Sequence, residues 1–250
     1  MAAAPAWRLT VHDSLPSTSD ACRARAADGE PAGLAVLAMR QTQGRGTGGR
    51  VWHSPPGNLY LSVLLRPAEP VRSAAQWSLL AAVALAGALA PRLPDPLALT
   101  LKWPNDVLLH GAKLAGILTE STATPDGMLD SLVIGFGVNL AAAPELPDRP
   151  TASLAAVAPA PAPEAFARLL LDQLDHWRAR RAEEGFAAVR AAWLARGPVP
   201  GAPIVLRVGS TTQDGRFAGL GADGSLLLAT GSLVRAFAAG EVLAARAGGG

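Results

Sequence analysis

Lys102-Trp103-Pro104-Asn105-Asp106 and, after Val107 to Ala112, Lys113-Leu114-Ala115-Gly116-Ile117-Leu118 are the stretches whose reading decides the fold. Pro104 forces Trp103 into an extended conformation, so a strand ends there, and Asn105-Asp106 turns the chain. His110-Gly111 supplies a second tight turn, and Lys113 to Leu118 returns as a strand. Such a hairpin brings Lys113 back beside the Asn105-Asp106 turn. Two ammonium groups, an amide and a carboxylate then share one small region, a mixture suited to holding an anionic carboxylate and a nucleotide together. The alternative is a surface hairpin whose ion pairs contribute little. Residue usage weighs against it: Lys102 and Lys113 are the only lysines, and Asn58, Asn105 and Asn139 the only asparagines. Arginine supplies nearly all other positive charge, so these few residues stand where Arg or Asp would not serve.

Outward from the hairpin, Trp7 to Val11 reads as a short strand. Pro16-Ser17-Thr18 offers an N-cap for a helix that runs to Ala27 and ends at Asp28-Gly29. Leu34 to Met39 and Asn58 to Leu65 are strand candidates, and Val71 to Leu93 is an Ala-rich helix closed by prolines. Leu97 to Trp103, Ala112 to Thr119 and Ser131 to Val138 add three more strands. The fold class is therefore α+β, a mixed sheet with helices packed on it. Residues 141–163 read as a Pro- and Ala-rich connection with at most a helical turn near Ser153 to Val157. Helices follow at Glu164 to Arg181 and Glu184 to Ala195. Gly197-Pro198-Val199-Pro200-Gly201 then breaks the pattern. Short strands with turns at Gln213-Asp214-Gly215 and Ala222-Asp223-Gly224 predict a small β-barrel. The expected division is a catalytic domain over 1–197, a barrel domain over 198–246 and a disordered tail over 247–250.

Gln41 to Arg50 is glycine-rich and contains G-x-G-x-x-G at Gly44, Gly46 and Gly49. A Rossmann site needs a helix immediately afterwards, whereas this chain continues through Trp52-His53-Ser54-Pro55-Pro56-Gly57 into a strand, so the dinucleotide reading fails on context. What remains is a loop whose backbone N–H groups, Arg45 and Arg50 can meet phosphate oxygens. A mobile surface loop with solvated arginines is the competing reading.

Half of the 250 residues are hydrophobic and 17% are charged, which suits a packed globular protein. A formal charge of +2 is too small to imply nucleic acid, and no basic stripe or helix-turn-helix precedes Trp7. Cys22 stands alone, which excludes an internal disulfide or a cysteine metal cluster, and the N-terminus lacks the pattern of a secretory signal. Ala74 to Ala90 is apolar but short and interrupted by Gln76 and Ser78, so a buried helix is expected there and no membrane span. A cytoplasmic protein is expected. His12, His53, His110 and His176 have no metal-ligand spacing, and there is no G-x-S-x-G nucleophile elbow. Trp177 and Trp193 are expected in the core.

Gln41 with Gly44-Arg45-Gly46, Arg50, Trp52, Ser54-Pro55, Gly57-Asn58-Leu59, Lys102 to Asp106, Lys113 to Leu118 and Gly135 to Asn139 together resemble the signature of the biotin protein ligases, in its order and at its spacing. The resemblance runs from about Ser17 to Glu241. It implies a mixed sheet with helices on one face, of the class II aminoacyl-tRNA synthetase and biotin ligase type, followed by an SH3-like barrel. It implies activation of biotin by ATP as biotinyl-5'-AMP and transfer to a lysine of the biotin carboxyl carrier domain of a carboxylase, with Mg²⁺ on the phosphates and metal ligands left open. Carried over by position, Ser17, Thr18, Ser19, Gln41, Gly44, Arg45, Gly46, Thr47, Lys113 and Gly116 would form the biotin pocket. Arg45, Thr47, Arg50, Trp52, Lys102, Asn105, Asp106, Lys113 and Asn139 would bind ATP. Lys113, Arg45, Asp106 and Lys102 would carry catalysis, Lys113 and Arg45 offsetting repulsion between carboxylate and phosphate, with Asp106 orienting or deprotonating the attacking amine.

One departure stands out: the family commonly has a second arginine where this chain has Thr47, so the loop lacks a cation that would help retain the adenylate. Lipoate or octanoate ligation or transfer on the same fold, a non-catalytic biotin sensor and a DNA-binding repressor are the rival readings. KWPND and the barrel favour biotin over lipoate, and the intact Lys102, Asp106 and Lys113 argue against a sensor. Monomer and homodimer are both compatible with the sequence.

Overall fold

The computed structural model describes residues 6–147 and 149–243. Strands β1 (Arg8–His12), β2 (Leu34–Ala38), β3 (Leu59–Leu65), β4 (Leu99–Lys102), β5 (Asp106–Leu109), β6 (Ala112–Ala123) and β7 (Leu129–Val138) form one sheet in the order β1-β2-β3-β7-β6-β5-β4. β1 and β2 run parallel, and the other neighbours are antiparallel, so the sheet is mixed. Helix α1 (Thr18–Ala27) makes the crossover that parallel strands require. Ser17 caps it as expected, its side chain accepting from Asp20 N at 3.3 Å.

Side chains on a strand alternate between faces, and β2 and β3 use both. Ala35, Leu37, Leu59, Leu61 and Val63 enter the large core formed with α2 (Ala74–Leu89), α3 (Pro163–Glu184) and α4 (Phe186–Leu194). Leu34, Val36 and Leu64 point the other way and pack with Cys22 and Ala26 of α1. The expectation of helices on one face alone is thereby corrected: the main layer is one-sided, but α1 covers part of the opposite face. The reason lies in the continuous apolar run of β2, buried at all five positions, which needs cover on both sides. Val71–Arg92 is long and apolar enough to cross a membrane, yet 72% of its most apolar window is buried in this core.

Two local expectations are also corrected. Asp106–Leu109 is a strand of its own, so the deciding region is two successive hairpins, β4-β5 and β5-β6. Glu184 closes α3 rather than opening α4, because the chain breaks at Gly185, whose φ of 75° lies in the left-handed region.

The C-terminal strands β8 (Pro203–Val208), β9 (Thr211–Leu220), β10 (Leu226–Thr230), β11 (Leu233–Phe237) and β12 (Glu241–Leu243) form an antiparallel sheet in the order β11-β10-β9-β8-β12. Ala222-Asp223-Gly224 is the expected turn, with Asp223 Oδ1 accepting from Ser225 N at 3.0 Å. Gln213-Asp214-Gly215 is not a turn but lies inside β9, where Gly215 pairs with Ile204. A Cβ at Gly215 would come within 2.7 Å of Ala229 O and of the Leu228 side chain, so this glycine serves the close approach of β10. Trp103 Nε1, buried, donates to Gly224 O at 3.2 Å and ties the two sheets together. The expected tail over 247–250 and the last residues of the expected barrel lie outside the described residues.

Candidate functional site

The face of the sheet that α1 covers only in part carries a cavity of about 340 Å³. Ser17, Thr18 and Ser19 from the start of α1 form one end. Beneath them Ser62 of β3, fully buried, meets Thr18 Oγ1 at 2.7 Å and Ser19 Oγ at 3.0 Å. Gln41 Oε1 accepts from Thr18 N at 2.9 Å, which joins the loop to the helix. A Cβ at Gly135 would lie 2.6 Å from Ser19 Oγ, so the floor is bare backbone here because nothing larger fits.

The strand wall carries the lysine cluster. Asp106, 6% exposed, begins β5 and receives Lys113 Nζ on Oδ1 at 2.5 Å and Lys102 Nζ on Oδ2 at 2.9 Å. Burial alone would raise the Asp106 carboxyl, but the charge of Lys113 and then that of Lys102 outweigh it and hold the group below its ordinary range. Burial also pulls Lys113 below its ordinary value of 10.5, and Asp106 only partly offsets this. Lys113 and Asp106 line the cavity, whereas Lys102 does not; it reaches the cluster through Asp106.

Trp52 covers the floor. A Cβ at Gly137 would sit 2.4 to 2.7 Å from its indole, and one at Gly116 would meet its Cζ3 at 3.0 Å and Lys113 Nζ at 3.3 Å. Lys113 Nζ stands 5.6 Å from the Trp52 ring. Gly137 has no larger counterpart that could coexist with this indole, a role sequence reading did not assign.

The loop wall is a small hairpin: Gly46 N donates to Arg50 O at 2.7 Å and Trp52 N to Gly44 O at 2.9 Å. Gly44 is off the cavity, packed so closely that a Cβ would meet Trp52 O at 2.6 Å. Gly46, Arg45, Thr47 and Arg50 face the cavity. Arg45 pairs with Asp20 and Glu120, Thr47 Oγ1 accepts from Asn105 Nδ2 at 2.8 Å, and Arg50 pairs with Glu241 of β12 at 2.8 Å. A second hollow of about 450 Å³ between the loop and β8 and β12 shares Thr47, Arg50 and Asn105 with the first.

The segment read only as a connection closes the remaining side. Pro144, Leu146, Arg149 and Thr151 line the cavity. The segment is fastened by Asn58, which binds the backbone of Ala141 and Ala142, and by Lys113 N donating to Pro150 O at 2.9 Å. Asn139, 2% exposed, donates to Ala152 O at 3.1 Å. No signal in the sequence marks Arg149. Among the described residues no three of His, Cys, Asp and Glu converge where they could hold a metal ion.

The profile of the Biotin/lipoate A/B protein ligase family matches residues 12–139. The biotin–[acetyl-CoA-carboxylase] ligase of Paracoccus denitrificans is 41% identical over 199 residues, which cover 77% of this chain and 82% of that protein. Among solved structures, the biotin protein ligase of Aquifex aeolicus in complex with biotin and ATP superposes with a TM-score of 0.80 at 26% identity, covering 94% of this chain and 97% of that one. The biotin protein ligase of Leishmania major in complex with biotinyl-5-AMP gives a TM-score of 0.60 at 27% identity, with 95% and 99% covered. The chain, whose serine, lysine and arginine walls enclose one cavity, belongs to the biotin/lipoate A/B protein ligase family.

Proposed function

We propose that this cavity is where biotin and ATP react, and that the chain is a ligase that passes the biotinyl group to a lysine of a carboxylase carrier domain. The observation that carries the reading is that Lys113 of β6 and Arg45 of the loop, far apart in sequence, border one cavity. A carboxylate and a triphosphate repel one another. Cations fixed where both must sit lower the barrier directly, by about 2.7–4 kcal/mol for a well-placed group.

The biotin carboxylate oxygen attacks the α-phosphorus, pyrophosphate leaves, and the mixed anhydride remains under the loop, away from water. The carrier amine then attacks the acyl carbon and AMP departs. Ser17, Thr18, Ser19 and Gln41 are assigned to the biotin end, with Gly46 and Gly116 leaving room beside them. Trp52, Asn139, Arg50 and Thr47 are assigned to the nucleotide end. Asp106 is assigned to holding Lys113: both its oxygens are occupied, and a carboxyl held below its ordinary range is a poor base for an ammonium. Lys102 acts through Asp106, and Asn105 through Thr47. Among the described residues the one buried carboxylate in the cavity, Asp106, is already taken by two ammonium groups, so these residues do not suit a resident divalent cation. Magnesium in this reading enters on the nucleotide.

Residues 1–197 are read as the catalytic domain and the five-stranded C-terminal sheet as the SH3-like barrel of 198–246. The test is ATP–pyrophosphate exchange in purified protein. Exchange that requires biotin is expected; exchange that is absent, or that lipoate supports equally, would sink the reading.

A further inference from the structure

We infer that Asp20 and Glu120 are positioning residues that aim Arg45 into the cavity, an inference that rests on the ligase reading of that cavity. Arg45 Nη2 lies 2.5 Å from Asp20 Oδ1, and both terminal nitrogens lie 3.4 Å from Glu120 Oε1. Arg23 Nη1 reaches the same two oxygens, Asp20 Oδ1 at 3.2 Å and Glu120 Oε1 at 3.3 Å. The result is a closed ring, Arg45-Asp20-Arg23-Glu120, in which positive and negative charges alternate.

The ring joins the elements that form the mouth. Asp20 is in the first turn of α1, next to Ser19, and Glu120 is on β6, two residues after Leu118; Ser19 and Leu118 both line the cavity. Residues 41–50, the loop bearing Arg45, contain no apolar side chain that could anchor the loop in either hydrophobic core. A long side chain on such a loop samples many rotamers. Two carboxylates gripping its planar fork from different elements leave it few.

Charge balance explains Arg23. Two carboxylates alone would cancel Arg45 and repel an incoming anion; Arg23 offsets one of them, so the ring as a whole is neutral and Arg45 keeps its attraction for a phosphate. Exposed ion pairs contribute little to folding, and Asp20 and Arg23 are about half exposed. The ring is therefore expected to affect catalysis without affecting stability.

The experiment is a double-mutant cycle on the intact chain. Asp20→Asn with Glu120→Gln is assayed for biotin-dependent pyrophosphate exchange, alone and in an Arg45→Ala background, with thermal unfolding in parallel. Misplacing the cation is expected to lower kcat/KM about tenfold, to leave the Tm unchanged, and to add nothing once Arg45 is gone. Phenylglyoxal modification of Arg45, read by mass spectrometry, is expected to quicken in the double variant, a readout independent of any activity. An equal loss in the Arg45→Ala background, or no change in either exchange or modification rate, overturns the inference. Absence of exchange in the unsubstituted protein, with the modification rate still responding, instead identifies the ligase reading as what failed.

Discussion

Lys113 and Arg45 border the same cavity and are held in opposite ways. The side chain of Lys113 is 17% exposed, stands on a central strand and meets a carboxylate that is itself 7% exposed. That of Arg45 is 37% exposed, stands on a loop and meets carboxylates 46% and 24% exposed. Buried charges bound to strands are costly to separate, whereas exposed pairs are cheap to exchange for another anion. A site that must both fix a reacting group and admit a ligand needs one wall of each kind.

Predictions that break or sharpen this contrast begin on the strand wall. Asp106→Ala leaves two ammonium groups without their shared counter-charge and is expected to cost about 3–5 kcal/mol of stability, measured by denaturant unfolding. Because the Asp106 carboxyl is held below its ordinary value of 3.8, its contribution is complete at neutral pH and is lost as pH falls through the depressed value. The variant's deficit should accordingly shrink in acid. Lys113→Ala is expected to lower biotin-dependent exchange by about 10²–10³-fold. Since burial lowers Lys113 below 10.5, kcat/KM should fall on the alkaline side before that pH is reached. Lys113→Arg, which stays charged, should move that limb upward even if it works more slowly.

The loop wall should respond less. Thr47→Arg, which removes the hydroxyl that Asn105 binds and adds a cation, is expected to change the ratio of AMP released to biotinyl-lysine formed, by about fivefold or less for one exposed contact; an unchanged ratio would mean that position 47 does not govern retention. Arg50→Ala loses the pair to Glu241 and is expected to raise the KM for ATP by a similar factor, less at high salt. The smallest effect is expected at Cys22. Burial pushes its thiol up to about 12, so alkylation at neutral pH should be negligible until the chain unfolds.

Much of this arrangement was legible in the sequence, for reasons that differ by region. The Ser17 cap, the β5-β6 turn at His110-Gly111 and the glycine-rich loop are local chemistry, which a sequence displays directly. The scarce asparagines, singled out by residue usage, each hold backbone or side chain at the cavity. All three fasten walls of the cavity: Asn58 grips Ala141 and Ala142, Asn105 grips Thr47, and Asn139 grips Ala152. What stayed hidden depends on partners distant in the chain. Gly215 looked like a turn because Asp-Gly usually is one, yet its reason is the close approach of Leu228 and Ala229 on a later strand. Ser62 reads as one polar residue in an apolar strand until α1 is laid over it. Arg149 sits in a Pro- and Ala-rich stretch with no periodicity, and only the fold carries it to the cavity.

The hydrogen bond from Trp103 to Gly224 has a consequence for how the chain could be shortened. Among the described residues, those that line the main cavity all lie at or before Thr151, so a fragment ending before Pro198 would retain them. It would also lose the acceptor of the Trp103 indole N–H at the hairpin that presents Asp106, and would deprive Arg50 of its carboxylate partner. The C-terminal sheet thus works as a buttress for the loop and hairpin that border the cavity, and a chain trimmed to its lining residues would lose the contacts that keep them in register.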